Sequence, residues 1–330
     1  MPDSPARWRI VTPRTGPGAL AAIELAGDGV DDALKTLGIG AVGVGRVALR
    51  DLCGVDRGVV ARWSTRCALL MPHGGVEILR ALVEQLSACG LERNDTLGEE
   101  GLRDAYPEAA DLVEARMLEA LARAASPRAI DLLLDQPRRW RLHGQGRLPG
   151  TDMEHSRVLR RLIDPALAVV VGATNIGKST LINALARREV SIVADEEGTT
   201  RDHVGVQVDL DGIVVRLVDT PGIREAAPGV ELEAARAAGL VVEMADLVLL
   251  AGDAANPPPP PIVTRDGRRI PSITVALRSD LGAAAPWAAD VVTSARRGDG
   301  VEHLAARIRE SLVQESALAD PRPWQFWDVP

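Results

Sequence analysis

The segment "VEILRALVEQL" sets Val76, Leu79, Leu82, Val83 and Leu86 on one helical face, with charged and polar residues between them. Ahead of it, "ALAAIEL", "VGVGRVAL", "GVVARWS" and "CALLM" are short apolar runs divided by turns, and they predict strands. "VDDALKTLG" predicts a short helix closed by Gly38. Residues 1–88 therefore read as a small α/β domain. From 89 to 164 the pattern turns helical. "EAADLVEARMLEALARAA" and "PRAIDLLLDQ" carry the 3.6-residue period, the second with Pro127 near its start. "RLHGQGRLPGTD" interrupts the period with Gly and Pro and predicts a loop or hinge, after which "SRVLRRLI" resumes a helix.

Residues 165–314 alternate strands and helices, the pattern of a doubly wound parallel sheet. "ALAVVVG" predicts a buried strand and "KSTLINALAR" a helix. "VGVQVDL" and "IVVRLVD" flank Asp211-Gly212, a hairpin signal. "ADLVLLAGD", "SITVAL" and "ADVVTSA" predict three more strands, and "GVEHLAARIRESL" a closing helix. Pro257 to Pro261 interrupt the series, so the crossover helix expected there is short or absent. The stretch 315–330 holds Trp324, Phe326 and Trp327. It predicts a docked tail, either on its own domain or on a partner.

Composition adds three constraints. The 330 residues allow two or three domains, and 46% apolar with 25% charged residues suits a soluble globular chain. A net charge of -8 argues against a chain built mainly to neutralise nucleic-acid phosphates. Seven arginines between 138 and 161, with Trp140 among them, still offer a local RNA contact or a solvated helix face. Cys53, Cys67 and Cys89 have no metal-ligand or CxxC spacing and read as inert buried thiols. No apolar leader or membrane-length run is present, so the expectation is a cytoplasmic protein with no membrane association.

The chemistry concentrates in the parallel-sheet segment. "GATNIGKST" fits GxxxxGK[ST], with a strand before it and a helix after. Gly172, Ala173, Thr174, Asn175, Ile176 and Gly177 would curl their amides around phosphate oxygens. Lys178 would bring a charge to the β/γ-phosphates, and Ser179, followed by Thr180, would ligate Mg²⁺. "GTTRD" offers Thr200 to the Mg²⁺ shell when a γ-phosphate is present. "DTPG" offers Asp219 to the metal through water and the Gly222 amide to the γ-phosphate.

The base reader is unusual. A carboxylate accepts both N1–H and the N2 amino group of guanine and repels the bare N1 lone pair of adenine; Asp280 of "TVALRSDL" supplies it. In "TSAR", Ser294 and Ala295 form the second element, the Ala295 amide donating to O6. The position that would carry an Asn holds Leu277, which cannot donate, while Arg278 can lie over the base plane. One missing hydrogen bond weakens binding about tenfold; the opposing reading is a site whose guanine selection has decayed.

These residues resemble the MnmE (TrmE) family of tRNA-modification GTPases. The resemblance rests on "GATNIGKSTLINAL", "ADEEGTTRD", "DTPGIRE" and "TSARRGDGVEHL", and extends to "TPRTGPGALAAIEL" and "MPHGGVEILRALVEQL". It implies a P-loop GTPase domain behind an α/β folate-binding dimerisation domain and a helical segment. It implies GTP as substrate, a homodimer made through the N-terminal and G domains, and K⁺ held by Asn175. It also implies that Glu231, twelve residues past Asp219, polarises the attacking water; from the residues alone Glu231 is equally a helix-start carboxylate. His73, Gly74 and Gly75 match the family's N-terminal motif or simply shape a strand-to-helix turn. The family continues into further helices and a Cys-x-Gly-Lys end, whereas this chain ends in "WQFWDVP". The expectation is a shortened member, in which tRNA modification and the family's partner enzyme are in question. Two functional readings stand: a K⁺-assisted GTPase, or a guanine-nucleotide-dependent assembly module with negligible turnover. Asp280 disfavours an ATPase.

Overall fold

The computed structural model describes residues 6–12, 19–95, 98–144, 150–188, 205–219, 239–282 and 285–327. The chain forms two compact units, Met1–Glu119 and Ala120–Pro330.

In the first unit, β1 (Arg7–Ile10), β2 (Ile23–Ala26), β3 (Arg46–Leu52), β4 (Asp56–Arg62), β5 (Cys67–Met71) and β6 (Glu92–Arg93) make one sheet in the order β3-β4-β5-β2-β1-β6. Only the β1–β6 pairing is parallel. Ile23, Leu25, Val60 and Leu70 on one sheet face pack with Leu34 of α1 (Val30–Thr36) and Leu82 and Leu86 of α2 (Val76–Ala88). The periods of "VDDALKTLG" and "VEILRALVEQL" thus mark the faces that are buried, except at Val76, which opens α2 and is exposed. "ALAAIEL" is extended only from Ile23; Leu20 makes an isolated bridge to His73 and is exposed.

Strand β1 escapes the apolar pattern for a physical reason. Arg9 is buried, its guanidinium 2.5 Å from Glu24 Oε2 and 2.6 Å from Glu119 Oε1. Tyr106 donates to the other Glu119 oxygen at 2.9 Å. Ion pairing occupies a place where alternation asks for an apolar side chain, so the strand reads as polar. Burial pushes the Cys67 thiol up to about 12, as an inert thiol requires. Cys53 and Cys89 are only half-buried, which corrects the expectation for those two.

After α3 (Glu99–Ala105) comes α4 (Leu112–Arg123). Asp111 caps it by accepting from the Glu114 amide at 2.9 Å, while Glu114 accepts from the Ala110 amide. The helix in "EAADLVEARMLEALARAA" starts at this cap.

The second unit contains α5 (Ala129–Leu134), α6 (Gln136–His143) and α7 (Gly150–Arg160), then a six-stranded sheet. Its strands are β7 (Ala166–Val171), β8 (Val206–Asp209), β9 (Val214–Asp219), β10 (Leu247–Gly252), β11 (Ser272–Ala276) and β12 (Val291–Val292). The order is β12-β11-β10-β7-β9-β8, parallel throughout except for β8 against β9. β7 is central and buried, so its C-terminal end delivers the next loop from a rigid base. Asp211 (φ 55°) and Gly212 (φ 84°) form the β8–β9 turn, where both central residues are left-handed. α8 (Lys178–Arg188) packs against α9 (Val301–Leu312), and α10 (Glu315–Leu318) follows.

The loop expected at "RLHGQGRLPGTD" is shorter than the sequence suggests. "RLH" belongs to α6, which Gly144 (φ 85°) ends, and the next helix begins at Gly150, earlier than "SRVLRRLI". Residues 145–149 lie outside the described ones. Between β10 and β11 the chain forms no helix, as Pro257–Pro261 predict, and Ile262 and Ile270 cover Val169, Val248 and Leu250 instead.

The tail docks on its own unit. Trp324 is fully buried; its amide donates to Gln136 at 3.0 Å, and the Gln325 amide donates to Ser156 at 2.8 Å. The Trp327 and Trp140 rings meet at 5.1 Å, tilted by 44° to each other. Trp140 is therefore buried and cannot stack on an RNA base, which removes half of the RNA-contact reading. Arg138 and Arg139 both pair with Asp135 and hold its carboxyl down to about 2. Trp324→Ala is expected to cost about 3–5 kcal/mol, seen in urea unfolding as a lower midpoint of the second unit's transition.

Candidate nucleotide site

The phosphate loop joins the C-terminal end of β7 to the first turn of α8. Gly172 is sterically required there: an added Cβ would lie 2.3 Å from the Ala251 carbonyl oxygen and 2.9 Å from Ile176 Cδ1. Gly177 (φ 102°) and Asn175 (φ 58°) take left-handed conformations that curl the loop. Ile176 is buried beneath it, while Thr174 and Asn175 are exposed. Lys178 is buried, and its Nζ donates to the Gly172 carbonyl at 3.1 Å and the Ala173 carbonyl at 2.6 Å. The loop's positive charge is thus stored against its own carbonyls at the α8 N-terminus, which itself favours anions.

Asp219 ends β9, beside the loop. Ser179 Oγ donates to Asp219 Oδ2 at 2.5 Å. A hydroxyl and a carboxylate placed together are hard oxygen donors of the kind Mg²⁺ takes alongside phosphate and water. Among the described residues no group of three or more His, Cys, Asp and Glu side chains could hold a metal by itself. Thr200, Gly222 and Glu231 lie outside the described residues.

On the other side of the loop, Ile176, Gly177, Thr180, Leu277, Arg278, Asp280, Leu281, Ala295 and Arg296 line a cavity of about 180 Å³. It brings together the residues chosen as base readers. The Ser294 hydroxyl donates to Asp280 Oδ1 at 2.8 Å, and this bond holds the Asp280 carboxyl below the usual carboxylate range. Asp280 is therefore anionic at neutral pH and oriented. Ser294 is fully buried and also accepts from the Arg297 amide at 3.2 Å. Leu277 is buried, with its amide bonded to the Gly252 carbonyl at 2.8 Å. Arg278 donates to the Asn175 carbonyl and approaches Asp253 Oδ2 at 3.5 Å.

Asp253 is the residue that motif reading missed. No spacing rule marks it. Its place at the carboxyl end of a parallel strand, where ligands of such sheets gather, is the signal that could have found it. In the first unit, the His73 amide donates to Asp56 at 2.8 Å, and Gly75 is the N-cap of α2. His73 and its glycines lie in the strand-to-helix turn between β5 and α2.

The family described as "50S ribosome-binding GTPase" matches residues 167–272. The "tRNA modification GTPase MnmE" of Chelativorans sp. (strain BNC1) is 32% identical over 376 aligned positions, covering 97% of this chain and 84% of that protein. The protein of the same name from Acidiphilium cryptum (strain JF-5) is 46% identical over 171 residues, 50% of this chain and 38% of its own length. Matches to two Rhizobium proteins of that name span 30% and 33% of their lengths, so several curated relatives are matched over well under half of their own chains. Among solved structures, Era of Aquifex aeolicus bound to GDP and AlF4⁻ is similar at 26% identity and a TM-score of 0.33. That match covers 44% of this chain and 56% of Era.

Proposed function

The chain belongs to the MnmE family of tRNA modification GTPases, and from that premise we propose that it binds GTP and hydrolyses it to GDP and phosphate. The observation that carries this reading is the base cavity itself, with an oriented, anionic Asp280 next to the phosphate loop. Guanine's N1–H and N2 amino group suit that carboxylate, whereas adenine's N1 lone pair faces it with repulsion. The Ala295 backbone, at the same cavity wall, is the donor proposed for O6.

Lys178 and the loop amides bind the β- and γ-phosphates and offset charge that builds on them during transfer. Ser179, Asp219 and Thr200 would hold Mg²⁺, and Asn175 would hold K⁺ through its exposed side chain. Such cations neutralise phosphate charge when bound. Glu231 orients the attacking water, and the Gly222 amide senses the γ-phosphate. The homodimer of the family fits the outer end of the first unit's sheet. There Val47 and Leu49 of β3 are 68% and 52% exposed, and Trp63 just after β4 is 51% exposed. The downstream role in this reading is tRNA modification, and the domain limits at 88, 164 and 314 belong to the same proposal. No helix among the described residues is long and apolar enough to cross a membrane, and a cytoplasmic location is part of the reading.

Buried Leu277 favours one alternative, a nucleotide-dependent assembly module without turnover. Glu231→Ala separates the two. In the hydrolytic reading the variant binds GTP as the parent does and loses phosphate release by about 10²–10³. An unchanged rate would remove Glu231 from the chemistry.

A further inference from the structure

Resting on the guanine-binding reading above, we propose that Leu277 makes the base cavity blind to position 7 of guanine. The site then reads the N1, N2 and O6 edge alone, and takes nucleotides of 7-deazaguanine at least as readily as those of guanine.

The cavity has two kinds of wall. One is polar: the Asp280 carboxylate, held by the Ser294 hydroxyl at 2.8 Å, and the Ala295 backbone. The other is made by Leu277 and Ile176, both buried and apolar. Sheet order places the two. Neighbouring strands run β12-β11-β10-β7. Ala295 follows β12, Leu277 and Asp280 follow β11, and the phosphate loop follows β7, two strands beyond β11. Leu277 is the first residue past β11, and its amide donates to the Gly252 carbonyl at the end of β10, at 2.8 Å. It therefore stands on the side of Asp280 that faces the phosphate loop.

The polar atoms around guanine come in a fixed order: N2, N1, O6, the N7 acceptor, and then the C8–N9 side that carries ribose and phosphates. With N2 and N1 on Asp280 and O6 on the Ala295 amide, N7 is the next atom towards the phosphates. The wall it meets there is Leu277 with Ile176. The Leu277 side chain has no hydrogen to donate, and its amide is committed to Gly252. The charged donors around the cavity are engaged elsewhere. Arg296 adjoins Ala295 and acts on the Asp280 carboxylate, while Arg278 donates to the Asn175 carbonyl and faces Asp253 Oδ2 at 3.5 Å. An acceptor moved from water to an apolar wall without a new hydrogen bond is disfavoured. A C–H in its place has no hydrogen bond to lose. 7-Deazaguanine keeps every atom that Asp280 and Ala295 read and removes the one that Leu277 disfavours.

The test uses the full chain and titrates GDP, 7-deaza-GDP and ADP, each into the parent and into Leu277→Asn, by calorimetry. The parent should bind 7-deaza-GDP as tightly as GDP or up to about tenfold more tightly. In Leu277→Asn the side-chain amide brings an N–H to that wall, and the preference should move about tenfold towards GDP. The quantity read is a ratio of two ligands on one protein, so a smaller folded fraction in the variant cancels from it. A parent that binds GDP more tightly than 7-deaza-GDP would overturn the proposal, because a donor such as the Thr180 hydroxyl of the same cavity would then reach N7. A ratio unmoved by Leu277→Asn would overturn it too, because Leu277 would then not face N7. Both results leave the guanine reading standing. A parent that binds ADP as well as GDP would overturn the guanine reading, and the blindness at position 7 with it.

Discussion

Asp280→Asn is expected to exchange guanine for xanthine nucleotides. The carboxylate offers two acceptors to the cavity side, and its orientation is set by the Ser294 hydroxyl 2.8 Å from Oδ1. An amide keeps one acceptor and replaces the other with a donor. Guanine's N2 amino group then meets an N–H, while the 2-oxo group of xanthine finds a partner in it. A hydrogen bond to a charged group contributes about 1.5–3 kcal/mol, so losing one and gaining a repulsive contact should weaken GDP by about a hundredfold or more. Xanthosine diphosphate should gain in the variant by a comparable factor. Competition titration of the two nucleotides checks the pair of shifts. Loss of GDP binding with no gain for the xanthine nucleotide would mean that Asp280 supports the loop and does not read the base.

Lys178→Ala should abolish most GTP turnover. The Nζ sits against the Gly172 and Ala173 carbonyls, within the loop that would receive the phosphates. Those contacts keep a buried ammonium solvated by carbonyl dipoles until a phosphate replaces them. Removing one preorganised charge from a phosphoryl-transfer site costs about 10²–10³ in rate. It also strips the loop of its internal tie, so nucleotide affinity should fall with the rate. Steady-state phosphate release with saturating GTP, beside a binding titration, separates the two losses. A variant that turns over like the parent would show that the buried lysine is structural.

The phosphate loop was legible because its requirements are local. Gly172, Gly177, Lys178 and Ser179 are contiguous, and strand and helix flank them in the sequence as in the structure. The Asp211-Gly212 turn was legible for the same reason. What escaped depends on pairing across the chain. β1 was hidden because Arg9 is neutralised by Glu24 and Glu119, 15 and 110 residues away. The use of Arg278 was hidden because it bonds Asn175, 103 residues earlier, and because a left-handed backbone at an arginine leaves no mark in the sequence. The missing crossover helix was announced by Pro257–Pro261, but that Ile262 and Ile270 would take its place in the core was not. The tail's aromatic residues promised docking; that Gln136 and Ser156 receive its backbone could be seen only in three dimensions.

Phosphate release from GTP and from ATP, each in KCl and in NaCl with Mg²⁺ present, tests the central claim most directly. GTP should turn over in KCl but little in NaCl, and ATP little in either salt. Equal turnover of ATP and GTP would contradict the role given to Asp280. Binding of GTP without turnover in either salt would contradict the hydrolytic function itself.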